Sequence, residues 1–318
     1  MAARVYDYVV LGAGVQGLFT AHQLRNLEPE AKTLVLEQFD LGHARGSSHG
    51  ASRIIRKAYV KRHYAQMMEE SYSMWESLSR EAGIKLITPT GLLMLGSPDD
   101  PRLQIAGTLL RQTPSKDQAV RVPSLNPHAS YGLWDPNGGI LLADKALKAL
   151  LVIQLDVCYW REKEPGQHSM ENGFPCIMHL SPNGDEKSIY ALPPIDYPHL
   201  FKLCCHFGIE IHPDTKERQH NAQFLAFLSA YVKKHLPGLE STPALIDSCL
   251  YTNTPDMDFI IDKHPRYDNI IIGAGFSGHG FKLAPVVGKL LAELASGRRQ
   301  SYKLTPFRIS RFALKANL

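Results

Sequence analysis

Two glycine-rich strand–turn–helix passages, one near each end of the 318-residue chain, and alternating strands between them predict an α/β fold, α+β overall. The expected architecture is a Rossmann-like nucleotide-binding domain with a mixed-sheet substrate domain inserted into it. The expected boundaries are 1–80, 139–152 and 249–318 for the nucleotide domain, and 81–138 with 153–248 for the insertion.

The first passage begins with Tyr8–Leu11, a short apolar run of the kind that forms a buried parallel strand. Gly12, Gly14 and Gly17 follow as G-x-G-x-x-G, then Leu18, Ala21, His22, Leu24 and Leu27 recur at helical intervals. A second strand, TLVLEQ, contains Glu37, twenty residues past Gly17. Each part has a mechanical purpose: Gly12 for a tight turn, Gly14 for close approach of a pyrophosphate, Gly17 for packing helix on strand. An acid at that distance bonds a ribose hydroxyl, and helix N–H groups receive phosphate. Glutamate there disfavours a 2′-phosphate and leaves FAD or NAD.

The second passage reads IIIGAGFSGHGFKLAP over residues 270–285. Asn269–Ile272 reads as another buried strand, and Gly273, Gly275, Gly278 and Gly280 permit close approach of a ligand. Leu283, Val287, Leu290, Leu291 and Leu294 then line one side of a helix. Twenty residues past Gly278 stand Arg298 and Arg299, with no strand and acid. The ribose-binding half is lacking, so this strand is expected beside the first, its helix start facing another part of the same cofactor. One long dinucleotide met at both ends of the chain favours FAD over NAD.

Between these ends, Tyr64, Met67, Met68, Tyr72, Trp75 and Leu78 fall at helical spacing and read as core. GLLMLGSPDDP reads as a strand ending in a turn, IQLDVCYWREK (153–163) as a half-exposed strand, and AQFLAFLSAYVKKHLPG (222–238) as a helix stopped by Pro237 and Gly238.

Composition limits the function. Hydrophobic residues are 44% and charged ones 21%, an ordinary globular balance. A net charge of +4 from scattered Lys and Arg argues against nucleic acid as partner. Five cysteines without a CxxC pair argue against a disulfide framework and a metal ribbon, and fit a reducing compartment. No apolar run is long enough to span a bilayer, so no membrane partner is expected. Ala316, Asn317 and Leu318 after Lys315 are similar to a variant of the peroxisomal address, which implies a peroxisomal location and an import receptor as partner.

GAGVQG, GSSHGASRIIRKAY (46–59), DSCLYTNTPD (247–256), DFIIDKHP (258–265), GAGFSGHGFKLAPVVG (273–288) and PFRISRF (306–312) together resemble the monomeric sarcosine oxidase family. The resemblance implies a monomeric FAD-dependent oxidase of secondary amino acids such as sarcosine, L-pipecolate or L-proline. Oxygen would be the second substrate and hydrogen peroxide a product. It implies that Cys249 bonds the flavin covalently, with Ser52, His49 and Arg53 beside the ring. It implies that Arg56 and Lys282 hold the substrate carboxylate, Lys282 also bordering the cofactor. Arg53 and Arg56, three apart, would point to similar sides on a helical turn. Lys202 matches the lysine that activates oxygen, a fixed cation where negative charge develops. Tyr190, His206 and Tyr251 match the substrate cavity. Lys61 and Arg62 read as a solvated basic patch.

The chain departs from the family after ADKALKALL (143–151), where Leu151 runs on to Cys158 and Trp160. Roughly seventy residues are lacking there, a stretch that would carry later strands of the doubly wound sheet and part of the adenine side. Two alternatives therefore stand beside the oxidase: an impaired or inactive variant without enough of the flavin domain, and an NAD-dependent dehydrogenase.

Overall fold

The computed structural model describes residues 5–40, 46, 48, 50–112, 114, 122, 125, 131–142, 157–182, 188–206, 222–247 and 251–315. His49, Cys249, residues 143–156 and the terminal Ala316–Leu318 lie outside the described residues.

Strand β1 (Tyr8–Leu11) leads through the glycine turn into α1 (Val15–Leu27) and then β2 (Thr33–Leu36), with β1 and β2 parallel. β3 (Ser52–Ile55) precedes the long α2 (Arg62–Ala82), which buries Tyr64, Met67, Met68, Ser71 and Trp75 on one face. Gly83, at φ +65°, closes that helix in the left-handed conformation. β4 (Ile87–Pro89), β5 (Leu92–Gly96) and α3 (Pro101–Leu110) follow, and Asp100 caps α3 by accepting from the Arg102 N–H.

Next come β6 (Tyr131–Asp135), β7 (Gly139–Leu142), β8 (Val157–Glu162), β9 (Cys176–His179), β10 (Ile189–Tyr197) and β11 (Leu200–Cys205). Then come α4 (Ala222–His235), β12 (Leu239–Asp247), β13 (Ile260–Lys263), β14 (Ile271–Ala274) and α5 (Gly280–Ala295), and two short 3-10 turns, Thr305–Phe307 and Ile309–Lys315, close the described chain.

Seven strands form one mixed sheet in the order β12-β8-β11-β10-β9-β5-β6. Trp160, Phe174, Phe201, Leu203, Leu228, Tyr231 and Val232 make its core under α4. A three-stranded sheet, β3-β7-β4, bridges towards the helices. The second core is helical: Phe19 of α1 meets the Trp75 ring edge-on at 5.0 Å, and Trp75 stacks on Phe281 of α5 at 5.9 Å. The mixed α/β class is as the sequence predicts.

Three local expectations need correction. β14 pairs antiparallel with β13 and not with β1, so the two glycine-rich ends meet helix against helix. Gly288 makes this possible, because a β-carbon there would lie 2.6 Å from Phe19 backbone. Neither β1 nor β14 is buried: Val9 is 51% and Leu11 80% exposed. Among the described residues β1 has one neighbouring strand. Strand 157–162 is buried and not half-exposed, because β11 and β12 flank it on both edges.

Candidate active site

The ends of these elements enclose a cavity of about 500 Å³. Gly12, Gly14, Gly17 and Glu37 line it from one side, Gly275, Gly278 and Lys282 from another. Ser52, Arg53, Arg56, Tyr190, Lys202, His206 and Tyr251 complete the wall. Every site residue named from the sequence and described in the structure therefore faces this one space; His49 and Cys249 lie outside the described residues.

The glycine turn is built as a cradle. Gly12 takes φ +96°, and a β-carbon on Gly17 would fall 2.0 Å from the Gly12 carbonyl oxygen. One oxygen of Glu37 accepts from the Ala13 N–H at 2.9 Å, joining the end of β2 to the turn. Ser48 accepts from the Val15 N–H at 2.9 Å, at the start of α1.

On the opposite side, Gly275 and Gly278 have φ of +63° and +74°. A β-carbon on Gly278 would meet Tyr251 at 2.6 Å and His206 at 2.8 Å. The Tyr251 hydroxyl and His206 Nδ1 are 3.3 Å apart, and Tyr190 meets the His206 ring edge-on at 6.0 Å. Burial first, then the nearby Lys282 and Arg56 charges, push the His206 pKa down to about 4. Burial, with Arg56 and Arg53 beside it, also holds Lys282 well below the ordinary lysine value. This is a pocket short of negative charge.

Pro285 lies inside α5 and cannot donate to the preceding turn. The donor it lacks would have served the Phe281 carbonyl four residues back; one residue on, the Lys282 carbonyl accepts from the Ser71 hydroxyl at 2.6 Å and the Trp75 indole N–H at 3.0 Å. The core helix α2 thus fixes the backbone that carries the cavity's lysine. Arg53 and Arg56 are not on a helical turn: Arg53 is in β3 and Arg56 just past its end, yet both reach the cavity. The Arg53 guanidinium lies over Phe281 at 5.4 Å and that of Arg56 over Tyr59 at 4.2 Å. Lys61 is not merely solvated, since it pairs with Asp258 at 2.5 Å.

Lys202 sits on β11, buried, with a carboxylate against it. Its ammonium donates to Asp196 at 2.9 Å, to the Ser52 hydroxyl at 3.1 Å and to the Ser52 carbonyl at 3.4 Å. The same Asp196 oxygen accepts from Ser52 at 3.0 Å and from the Tyr159 hydroxyl at 2.9 Å. Burial would raise the Asp196 carboxyl, but Lys202 and these hydrogen bonds bring it below the usual value. A bulge between Leu192 and Tyr197 interrupts the β10–β11 register and turns Asp196 back onto Lys202.

Asp196 and Tyr159 are functional candidates missed in the sequence, as are Gln16 and His279, which line the cavity. Gln16 lies inside the glycine motif and His279 inside GHG, so position was the available signal for both. Gln16 Oε1, Arg56 Nε and His279 Nδ1 are buried at this cavity without a partner among the described residues. Unpaired polar groups and a bare glycine cradle fit a large polar ligand with phosphates, such as FAD.

The motifs at the chain's end are mutually tied. Asp262 of DFIIDKHP accepts from the Arg308 guanidinium and the Ile309 N–H, and Asp256 pairs with Arg311 at 2.7 Å. Arg308 and Arg311 belong to PFRISRF, so that segment clamps the strand β13 leading to the second glycine turn.

Comparison with known proteins agrees with this geometry. The family model described as FAD dependent oxidoreductase matches residues 7–153 and 158–294, interrupted where the sequence departs from its relatives. Peroxisomal sarcosine oxidase of Mus musculus is 41% identical over 389 aligned positions, covering 98% of each chain. Those 389 positions exceed the 318 residues present, so the mouse protein carries a stretch without counterpart here. Monomeric sarcosine oxidase of Bacillus sp. (strain B-0618) is 28% identical, again over 98% of each chain. Among solved structures, L-proline dehydrogenase from P. horikoshii superposes with a TM-score of 0.74 at 20% identity, covering 99% of each chain. NikD in its open form, an unusual amino acid oxidase, gives 0.77 at 18% identity, with 96% of this chain and 98% of that one covered. The chain belongs to the FAD dependent oxidoreductases, within the sarcosine oxidase family.

Proposed function

We propose that the chain oxidises secondary amino acids such as sarcosine, L-pipecolate or L-proline to the imine, with oxygen as acceptor and hydrogen peroxide as product. The observation that carries this reading is the cluster of Arg56, Lys282, Tyr190, His206 and Tyr251 on the cavity bordered by both glycine turns. Gly12, Gly14, Gly17 and Glu37 would hold the nucleotide end of FAD, and Ser52, Arg53, Gly275, Gly278 and Lys282 its other end. FAD supplies the acceptor for the hydride leaving the carbon beside nitrogen.

Arg56 and Lys282 bind the carboxylate, the guanidinium by two parallel bonds and Lys282 as the point charge it becomes when a carboxylate beside it offsets the burial and the two arginines that hold its pKa down. Tyr190, His206 and Tyr251 then confine the rest of the molecule. His206, its pKa pushed down to about 4 by burial, is neutral at neutral pH and can serve Tyr251 as acceptor. The amine loses a hydride and a proton to become an imine, and oxygen takes up two electrons and two protons. Lys202 lowers the energy of the negative charge passing to oxygen. Cys249 would hold the flavin covalently, and His49 and Arg53 would favour the thiolate that such a link needs. The nucleotide domain takes in 1–80, 139–152 and 249–318, and the substrate domain 81–138 and 153–248. The chain works as a monomer in the peroxisome, delivered by its import receptor through Ala316–Leu318.

A peroxide assay with sarcosine and L-pipecolate, run beside Lys202→Met, tests this. Wild type should make peroxide and the variant far less; equal rates would remove Lys202 from the oxygen step. Colour that stays with the protein after acid precipitation, and is lost in Cys249→Ala, tests the link. The exposure of Val9 and Leu11 favours a second reading, in which the shortened nucleotide domain does not retain FAD. A folded, colourless preparation would decide for it. Nicotinamide absorbance changes without peroxide would point to the NAD-dependent dehydrogenase.

A further inference from the structure

We propose that Asp196 is a positioning residue for the oxygen half of the reaction, its carboxylate fixing the Lys202 ammonium in charge and in place at the cavity wall. This rests on the flavin-oxidase reading above. Asp196 is absent from the cavity lining, whereas Lys202 and Ser52 are part of it. The carboxylate therefore acts from behind the wall, through another side chain.

The three ammonium hydrogens have three acceptors: Asp196, the Ser52 hydroxyl and the Ser52 carbonyl. Of these Asp196 alone is charged. Its own position is fixed by Ser52 from β3 and Tyr159 from β8, so three strands converge on one carboxylate oxygen. Tyr159 is also the cross-strand partner of Lys202, with the ammonium 5.6 Å from its ring.

Lys282 is the counterpart that lacks such a carboxylate among the described residues. Both lysines are buried at the same cavity. Among the described residues no carboxylate is bonded to the Lys282 ammonium, and burial with Arg56 and Arg53 beside it favours the neutral amine. Lys202 differs by having Asp196. The other titratable groups facing it do not replace that charge. Tyr159 on β8 and Cys204 on β11 are held protonated, chiefly by burial, as is Cys176 on β9, raised to about 12. Arg53, next to Ser52 on β3, adds like charge. Breaking a buried ion pair by removing one partner leaves the other charge uncompensated, and a buried amine then gives up its proton.

The test uses the flavin-loaded chain with Asp196→Asn, Asp196→Glu, Lys202→Met and the double variant Asp196→Asn/Lys202→Met. Four quantities are read: flavin reduction by sarcosine without oxygen, reoxidation by oxygen against pH, the Kd of sulfite for the oxidised flavin, and flavin content. In Asp196→Asn, reduction should stay within about twofold of wild type while reoxidation slows roughly tenfold or more at alkaline pH and recovers on acidification. Sulfite, an anion that adds to flavin beside positive charge, should bind about tenfold more weakly at alkaline pH. Asp196→Glu should restore most of both. In the Lys202→Met background, Asp196→Asn should change neither by more than about twofold, as expected of a residue acting through Lys202. An Asp196→Asn chain that reoxidises as fast as wild type, or faster, overturns the inference, and so does an equal slowing on the Met background. A wild-type chain without bound flavin overturns the flavin reading and this inference with it. A flavin-loaded chain indifferent to Asp196 overturns the inference alone.

Discussion

Gly17 packs against Gly12 so closely that a β-carbon on Gly17 would lie 2.0 Å from the Gly12 carbonyl oxygen. That atom belongs to backbone and cannot swing aside. The contact joins the turn after β1 to the first turn of α1, where the nucleotide end of FAD is proposed to sit. Gly17→Ala must push strand and helix apart, at about 1–3 kcal/mol by the measure of other overpacked contacts. Purified Gly17→Ala should show a lower Tm and less flavin absorbance per mole of protein. A variant with wild-type flavin content would mean that this turn does not hold the cofactor.

Trp75 tests how the core supports the site. Its side chain is fully buried between Phe19 and Phe281, and its indole N–H holds the Lys282 carbonyl. Trp75→Ala should cost about 3–5 kcal/mol through lost packing. Trp75→Phe keeps a ring and forfeits the hydrogen bond, so about 1 kcal/mol is expected. Because Lys282 is proposed to hold substrate carboxylate, Trp75→Phe should raise KM more than it lowers kcat. Denaturant unfolding measures the first pair of values and steady-state kinetics the second.

Gly278→Ala attacks the opposite wall. Its φ of +74° strains any side chain, and the new methyl would run into Tyr251 and His206 at under 3 Å. Both rings must move, and the Tyr251–His206 hydrogen bond is lost with them. The expected result is weaker substrate binding by roughly tenfold, the scale of one or two disrupted contacts. Flavin content should change far less than in Gly17→Ala. Substrate titrated into the oxidised chain without oxygen, followed by flavin absorbance, separates the two effects.

Much of this site was legible because glycine motifs announce backbone geometry. Gly12, Gly17, Gly275 and Gly278 are each required by a positive φ or by a contact under 3 Å, and local sequence encodes such needs directly. The core stripe on α2 was legible for the same reason, since helical period and burial coincide there. Asp196 was not, because its role depends on a bulge that breaks the β10–β11 register, and pairing register is a property of two strands together. The exposure of β1 was equally hidden. An apolar run reports the tendency of a strand to be covered, while covering depends on neighbours, and among the described residues β1 pairs with β2 alone.

Two histidines give the chain a definite response to acid. His206 has its pKa pushed down to about 4 by burial, then by Lys282 and Arg56. His179 is pushed down to about 3 by burial, then by His235 and Lys234, and its Nδ1 lies 2.9 Å from the Tyr231 hydroxyl. In the unfolded chain both should titrate near 6.5. Between the folded and unfolded values the unfolded chain binds more protons, so stability rises with pH across that window. The contribution is complete above about pH 6.5 and is lost as pH falls towards 4. At about 1.4 kcal/mol per pH unit, each histidine should withdraw roughly 2 kcal/mol between pH 6.5 and 5. Urea unfolding at a series of pH values would show this as a falling midpoint. His206→Asn should remove one histidine's share of the slope, because the amide keeps a polar side chain without the titration, while His63, His168, His179 and His279, all shifted down chiefly by burial, keep theirs. If the slope is the same in wild type and variant, protons enter elsewhere on unfolding, and His206 is not the buried neutral ring that this cavity requires.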